Sequence, residues 1–212
     1  MHQSEASRVD PSMLGQTHYP RRPLDFYPTP TKCTRSFLSM WEQAVGTVHS
    51  VWEPACGNGA ISKVLADEGL NVFSSDIAAY EGFEPDCLAD FLVVQNLKEI
   101  QAMAGFVPSA IITNPPYGDE AEQFVRHALK LTEPDRGVVA VLCRHEWSCA
   151  KGRRDIFKDH PAYAGKITLL YRPRWIEPTP GVKASSPRFS YSWFCWDWSR
   201  DQSALPADLY AE

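Results

Sequence analysis

Long apolar runs are missing from this sequence. The longest, such as the run from Val138 to Cys143, fall far short of the roughly 20 residues of a membrane-spanning helix, so no such helix is expected. The first residues, among them Met1, His2, Ser4 and Glu5, carry no apolar secretory segment, and the expected location is cytoplasmic. No Cys-x-x-Cys pair occurs among Cys33, Cys56, Cys87, Cys143, Cys149 and Cys195, which predicts reduced thiols. Cys143, His145 and Cys149 stand close together but have no fourth ligand at a usual spacing, so no metal is expected. A basic excess is also lacking: 21 Lys and Arg against 26 Asp and Glu give a net charge of −5. Charge alone would not hold such a protein on nucleic acid. There is no internal repeat.

What remains is a chain of 212 residues, 44% hydrophobic, enough for one domain with a full core. Residues 1–24, polar and holding Pro11, Pro20 and Pro23, read as a flexible arm, residues 25–200 as the domain and 201–212 as a polar tail. Strand and helix patterns alternate between them. Thr29 is expected to cap a helix that starts at Pro30 and carries Cys33, Phe37, Leu38 and Trp41 on one stripe. A strand over 48–52 runs into Glu53-Pro54-Ala55-Cys56-Gly57-Asn58-Gly59 and a helix with Ile61, Val64 and Leu65 inward. This glycine turn lacks the third glycine of the dinucleotide fingerprint and the Lys-Ser/Thr of a triphosphate loop, so a ligand without a pyrophosphate fits it better.

A second strand over 71–75 ends at Asp76, close to 20 residues beyond the glycine turn, where an acid grips ribose hydroxyls in units of this kind. Asp90-Phe91 closes the next segment; an acid beside an aromatic can bond and cover a purine. Helices are expected around Leu97 to Met103, over 121–131 and over 148–160, and strands over 137–143, 167–171 and 189–198, with a proline-rich loop over 173–187. Trp193, Trp196 and Trp198 read as core rather than as base-stacking platforms. Between 144 and 174 basic residues outnumber acids, and Arg144, Lys151, Arg153, Arg154, Arg172 and Arg174 read either as a nucleic-acid face or as a solvated helix face.

The stretch Ile111-Ile112-Thr113-Asn114-Pro115-Pro116-Tyr117 organises the rest. A strand over 109–113 must stop at Pro115 and Pro116, which offer no N–H to a ladder. The two rings then fix the Asn114 amide, the Pro115 carbonyl and the Tyr117 ring in one geometry. Two acceptors beside a flat face suit an exocyclic amine on a heterocycle: the acceptors take its hydrogens, and the aromatic stacks on the ring. Asn does not ionise, so its role is electrostatic positioning. The alternating elements predict a doubly wound, mostly parallel α/β sheet with these motifs sharing the carboxyl edge of the strands.

Taken together, these motifs resemble those of S-adenosylmethionine-dependent adenine-N6 DNA methyltransferases, with the motif order of the gamma class and similarity to short phage or prophage and restriction-modification examples. The resemblance runs from about Asp25 to Trp198. It implies a Rossmann-like sheet of seven strands whose last strand, over 189–198, is antiparallel. It implies S-adenosylmethionine as cofactor, with Tyr27 and Thr29 lining its pocket and Glu53, Ala55, Gly57 and Gly59 at its methionine part. Asp76 would hold the ribose, Asp90 and Phe91 the adenine, and Asn114, Pro115, Pro116 and Tyr117 the catalytic station. The substrate it implies is adenine N6 in DNA; RNA adenine, protein glutamine and cytosine N4 use similar planar nitrogens, and a silent nucleic-acid-binding subunit is the alternative of another class. Gamma-class enzymes usually carry a further recognition domain. Here recognition is expected from the basic segment, from the 173–187 loop, from a specificity subunit or from self-association.

Overall fold

The computed structural model describes residues 27–175 and 186–212. The amino-terminal arm over 1–24 and most of the 173–187 loop lie outside them. Eight strands form one sheet: β1 (Ser50–Glu53), β2 (Asn71–Asp76), β3 (Cys87–Leu88), β4 (Ala110–Thr113), β5 (Val138–Arg144), β6 (Tyr163–Leu169), β7 (Tyr191–Asp197) and β8 (Ala207–Ala211), in the order β3-β2-β1-β4-β5-β7-β6-β8. All neighbours pair in parallel except β7, which runs antiparallel to both β5 and β6. β1, β4 and β7 are buried along their whole length, and β5 up to Arg144. Such continuous apolar runs are what a sheet covered on both faces requires.

Two cores follow. On one face α1 (Thr31–Leu38), the short α2 (Trp41–Ala44) and α3 (Ala60–Asp67) bring Phe37, Trp41, Ile61 and Leu65 against Val51, Ile112, Leu142 and Trp193. On the other, α4 (Leu97–Ala104) and α5 (Asp119–Thr132) bring Ile100, Val125 and Leu129 against Trp52, Ile111, Val139 and Trp196. Each such side chain contributes about 1.5–3 kcal/mol on burial. Trp193 and Trp196 are core, as expected, and each indole N–H has a backbone acceptor, Cys33 O at 3.0 Å and Ile156 O at 2.6 Å. Strand order reverses between β1 and its neighbours β2 and β4, the switch point beyond whose carboxyl ends ligands bind. No helix among the described residues is long and apolar enough to cross a membrane.

Four expectations are corrected. The sheet has eight strands, not seven, because the segment read as a polar tail supplies β8, which pairs with β6 from Gly165 to Leu169. The expected helix over 148–160 is two 3-10 stretches, His145–Cys149 and Lys151–Ile156, since Gly152 weakens an α-helix and Trp147 and Ile156 are drawn onto the sheet. β6 begins at Tyr163 and ends at Leu169, earlier than the 167–171 pattern suggests. Thr29 does not cap α1: Pro30 holds the cap position without a side-chain bond, and the Thr29 hydroxyl is engaged elsewhere.

Candidate active site

The turn after β1 is tied to the end of β2. Asp76 Oδ2 accepts from the Gly57 N–H at 2.8 Å and Oδ1 from the Ala78 N–H at 3.1 Å, while the Cys56 N–H donates to Ser75 O at 3.1 Å. Beneath them the Trp52 indole donates to Ser75 Oγ at 2.9 Å. Gly57 and Gly59 have φ of 53° and 72°, a region costly for any residue with a Cβ. At Gly59 a Cβ would also stand 2.5 Å from the Phe83 ring. Gly59 therefore packs under the β2–β3 loop instead of forming a wall of the site.

At the end of β4, Asn114 Nδ2 donates to Thr29 Oγ1 at 3.1 Å. This bond orients the amide and leaves Oδ1 buried with no partner among the described residues. An unpaired buried acceptor is costly unless a ligand supplies its donor. The Tyr117 ring lies between Tyr27, 6.0 Å away, and Trp175, 6.1 Å away and edge-on. Burial pushes the Tyr117 phenol well above its ordinary pKa, so it stays neutral.

These pieces border one cavity of about 900 Å³, within the range of ligand pockets. Tyr27, Thr29, Glu53, Ala55, Gly57, Asp76, Asp90, Phe91 and all of Asn114 to Tyr117 line it; of the residues expected there, Gly59 alone does not. Ile77, Tyr80, Asp119, Glu120 and Phe124 line it as well, and the sequence reading missed them. Among its described walls are five carboxylates, Glu53, Asp76, Asp90, Asp119 and Glu120, and no Lys, Arg or His. Glu53 accepts a hydrogen bond from the Ser62 hydroxyl, and burial pushes its pKa up to about 8. Asp90 Oδ1 accepts from the Leu92 N–H at 2.9 Å, and the adjacent Phe91 ring is fixed 5.1 Å from Trp52 and 4.8 Å from Phe124. Such a lining favours a cationic ligand and opposes phosphate.

The basic candidates lie outside this cavity. Arg153 donates to Glu122 and to Trp147 O, each at 3.0 Å, and Arg154 is paired with Asp159 at 2.5 Å. Arg144 lies 3.7 Å over the Phe189 ring; Lys151 and Arg172 are exposed, and Arg174 is half-buried. No group of three or more His, Cys, Asp or Glu residues among those described could hold a metal ion.

No family model and no curated protein matches the sequence. Solved structures do match. A proposed RNA methyltransferase of Pyrococcus horikoshii superposes with a TM-score of 0.57 at 15% identity, over 88% of this chain and 95% of that one. The methyltransferase subunit of a type I restriction-modification system from Streptococcus thermophilus gives 0.50 at 13% identity, over 82% and 45%. The chain has the methyltransferase fold. A proposed class I S-adenosylmethionine-dependent methyltransferase of Listeria monocytogenes also matches, at 0.49 and 16% identity, over 86% and 64%. The chain thus spans less than two thirds of the Listeria chain and under half of the Streptococcus subunit, but nearly all of the Pyrococcus one. At these identities the likeness is one of fold.

Proposed function

We propose that this protein transfers the methyl group of S-adenosylmethionine to the exocyclic N6 amine of adenine in DNA. The observation that carries the reading is the buried Asn114 Oδ1, without a partner among the described residues and locked by two prolines at the rim of a cavity whose described charged walls are all carboxylates. When bound, the cofactor supplies an electrophilic methyl on a positively charged sulfur. Asp119 and Glu120 offer the negative field that favours a cation, Asp76 stands at the strand end expected to hold ribose, and Asp90 with Phe91 frames a ring. The target adenine leaves its stack, at a cost of a few kcal/mol. Stacking on Tyr117, about 1–3 kcal/mol, offsets most of this.

Asn114 Oδ1 and the Pro115 carbonyl then accept the two amine hydrogens, which draws the nitrogen toward a tetrahedral shape and frees its lone pair. That pair forms the new N–C bond as the C–S bond breaks, the sulfur keeps the bonding electrons, and the surplus proton on nitrogen leaves to water. No residue needs to act as general base; the contribution is orientation and electrostatics. Asn114→Ala should lower methyl transfer at least 100-fold while S-adenosylmethionine still binds by calorimetry. Retained turnover would overturn the role given to Asn114.

The Pyrococcus neighbour, described as an RNA methyltransferase, favours RNA adenine as the second reading. Mass spectrometry of nucleosides from DNA and RNA of cells expressing the protein separates the two: N6-methyladenine rising in DNA supports the first, and a rise confined to RNA the second. A silent subunit is disfavoured by the intact Asn114 and Asp76, and a failure to bind S-adenosylmethionine would revive it.

A further inference from the structure

Beside the main cavity, on the same carboxyl edge, a second cleft of about 320 Å³ is lined by Arg144, Glu146, Trp147 and Phe189. A row of rings joins the two: Tyr117 meets Trp175 edge-on, Trp175 lies 4.9 Å from Tyr191, and Tyr191 pairs with Arg144 across β5 and β7. The cleft is held rigidly. Trp147 is braced against Phe157 at 5.3 Å, and the Arg153 guanidinium lies 4.7 Å from its ring. Arg153 is itself fixed by Glu122, which also binds Arg126, and Arg126 binds Asp155. The Arg144 guanidinium lies 3.7 Å from the Phe189 ring centroid and carries five N–H donors on a planar fork, more than its bond with Tyr191 uses. Glu146 is exposed and makes no ion pair among the described residues, and the Trp147 indole nitrogen is buried without a partner.

We propose that this cleft holds an unstacked guanine next to the target adenine, so that the protein prefers adenines flanked by guanine. The proposal rests on the nucleic-acid reading above. Guanine presents two acceptors, O6 and N7, on one edge, which match the fork of an arginine, and two donors, N1–H and the 2-amino group, on another, which match a carboxylate. The Arg144 and Glu146 pair supplies one fork and one carboxylate, and Trp147 and Phe189 supply ring faces. Adenine would set its 6-amino donor against Arg144 and its N1 acceptor against Glu146, and both contacts would be repulsive. Arg153 is a positioning residue here: it touches Trp147 rather than the base, which explains why a residue in a basic run is spent on an internal ion pair.

Two measurements on the full chain test this. The first is saturation-transfer NMR with guanosine, inosine and adenosine on the parent, Glu146→Ala and Asn114→Ala proteins. Guanosine should give a signal that Asn114→Ala retains and Glu146→Ala removes, inosine, lacking the 2-amino group, a weaker one, and the adenosine signal should not depend on Glu146. The second is the methylation rate of single-stranded hexanucleotides holding one adenine flanked by guanine or by another base. The parent should favour the guanine-flanked series at least tenfold in kcat/KM, and Glu146→Ala should lose that preference while keeping its rate on the others. Methylation indifferent to the flanking base, with no Glu146-dependent guanosine signal, overturns the cleft assignment and leaves the methyl-transfer reading intact. A Glu146-dependent guanosine signal without methylation of any oligonucleotide supports the cleft and overturns that reading.

Discussion

Replacing Glu53 by glutamine should make the protein more stable at high pH and change little at low pH. Glu53 ends β1, is 1% exposed and sits between the Ser62 hydroxyl and Asp76. Burial raises its carboxyl pKa from 4.5 to about 8, against the opposing hydrogen bond from Ser62. A carboxyl raised on folding binds its proton more tightly in the native state. The stability this contributes is therefore fully present below the unfolded value of about 4.5 and is lost as pH climbs through about 8. The slope is about 1.4 kcal/mol per pH unit, so between pH 5 and 8 the parent should lose ~4 kcal/mol from this group alone. That is a large part of a typical 5–15 kcal/mol. Glutamine is nearly the same shape, keeps an acceptor for Ser62 and does not titrate. Urea unfolding of both proteins at pH 5, 6, 7 and 8, with unchanged m-values, gives the difference directly, and groups common to both cancel. Curves that stay parallel across this range would mean that Glu53 ionises freely in the fold, and the assignment of a proton to it would fail.

A cation brought to the cavity favours the ionised form of Glu53, so S-adenosylmethionine binding at pH 7 should release a fraction of a proton, seen as a dependence of calorimetric heat on buffer ionisation enthalpy; heats independent of buffer would contradict this. Asp76→Ala frees the Gly57 and Ala78 N–H groups, and it should cost about 1–3 kcal/mol in urea unfolding and weaken cofactor binding before it affects kcat; unchanged affinity would remove Asp76 from the site. Gly59→Ala places a Cβ at φ 72° against Phe83, so it should cost more than about 1–2 kcal/mol, and a Phe83→Ala background should recover only part of the loss; full recovery would show that the ring contact, not the backbone, sets the cost.

The parts of the site legible in the sequence are those with a local cause. Glycine at positive φ, two prolines after an apolar run and an acid at a strand end each restrict the backbone where they stand, and their common edge follows from parallel strand order. What was not legible depends on distant partners. β8, Ala207–Ala211, has only a weak alternation, with Leu209 and Ala211 inward, and it becomes a strand by pairing with β6. Thr29 has the local form of a helix cap, yet its hydroxyl is claimed by Asn114 from 85 residues away. Tyr80 and Phe83 reach the glycine turn through an irregular loop that carries no period. Ile77 had a signal that was passed over: it directly follows the strand-end acid and remains 63% exposed, as an apolar wall of an open cavity would.

The charge of the cavity links the two ends of the proposed reaction. A lining whose described residues include five acidic side chains and no Lys, Arg or His would hold a phosphate poorly, which agrees with the glycine turn lacking the third glycine and the lysine of phosphate-binding loops. A polynucleotide could then present only its base to the cavity, with its backbone kept outside, which is the geometry of an extruded nucleotide. The same field favours a cofactor that arrives with a positive sulfur and releases the neutral thioether left after transfer, so the electrostatics that exclude the backbone also separate reactant from product. Asp119 and Glu120 line the cavity from the first turn of α5, two and three residues beyond Tyr117. Asp119→Asn with Glu120→Gln should therefore weaken S-adenosylmethionine binding more than that of its demethylated product while improving the KM for DNA. Equal losses for both ligands, with KM unchanged, would show that the field does not reach the reacting atoms.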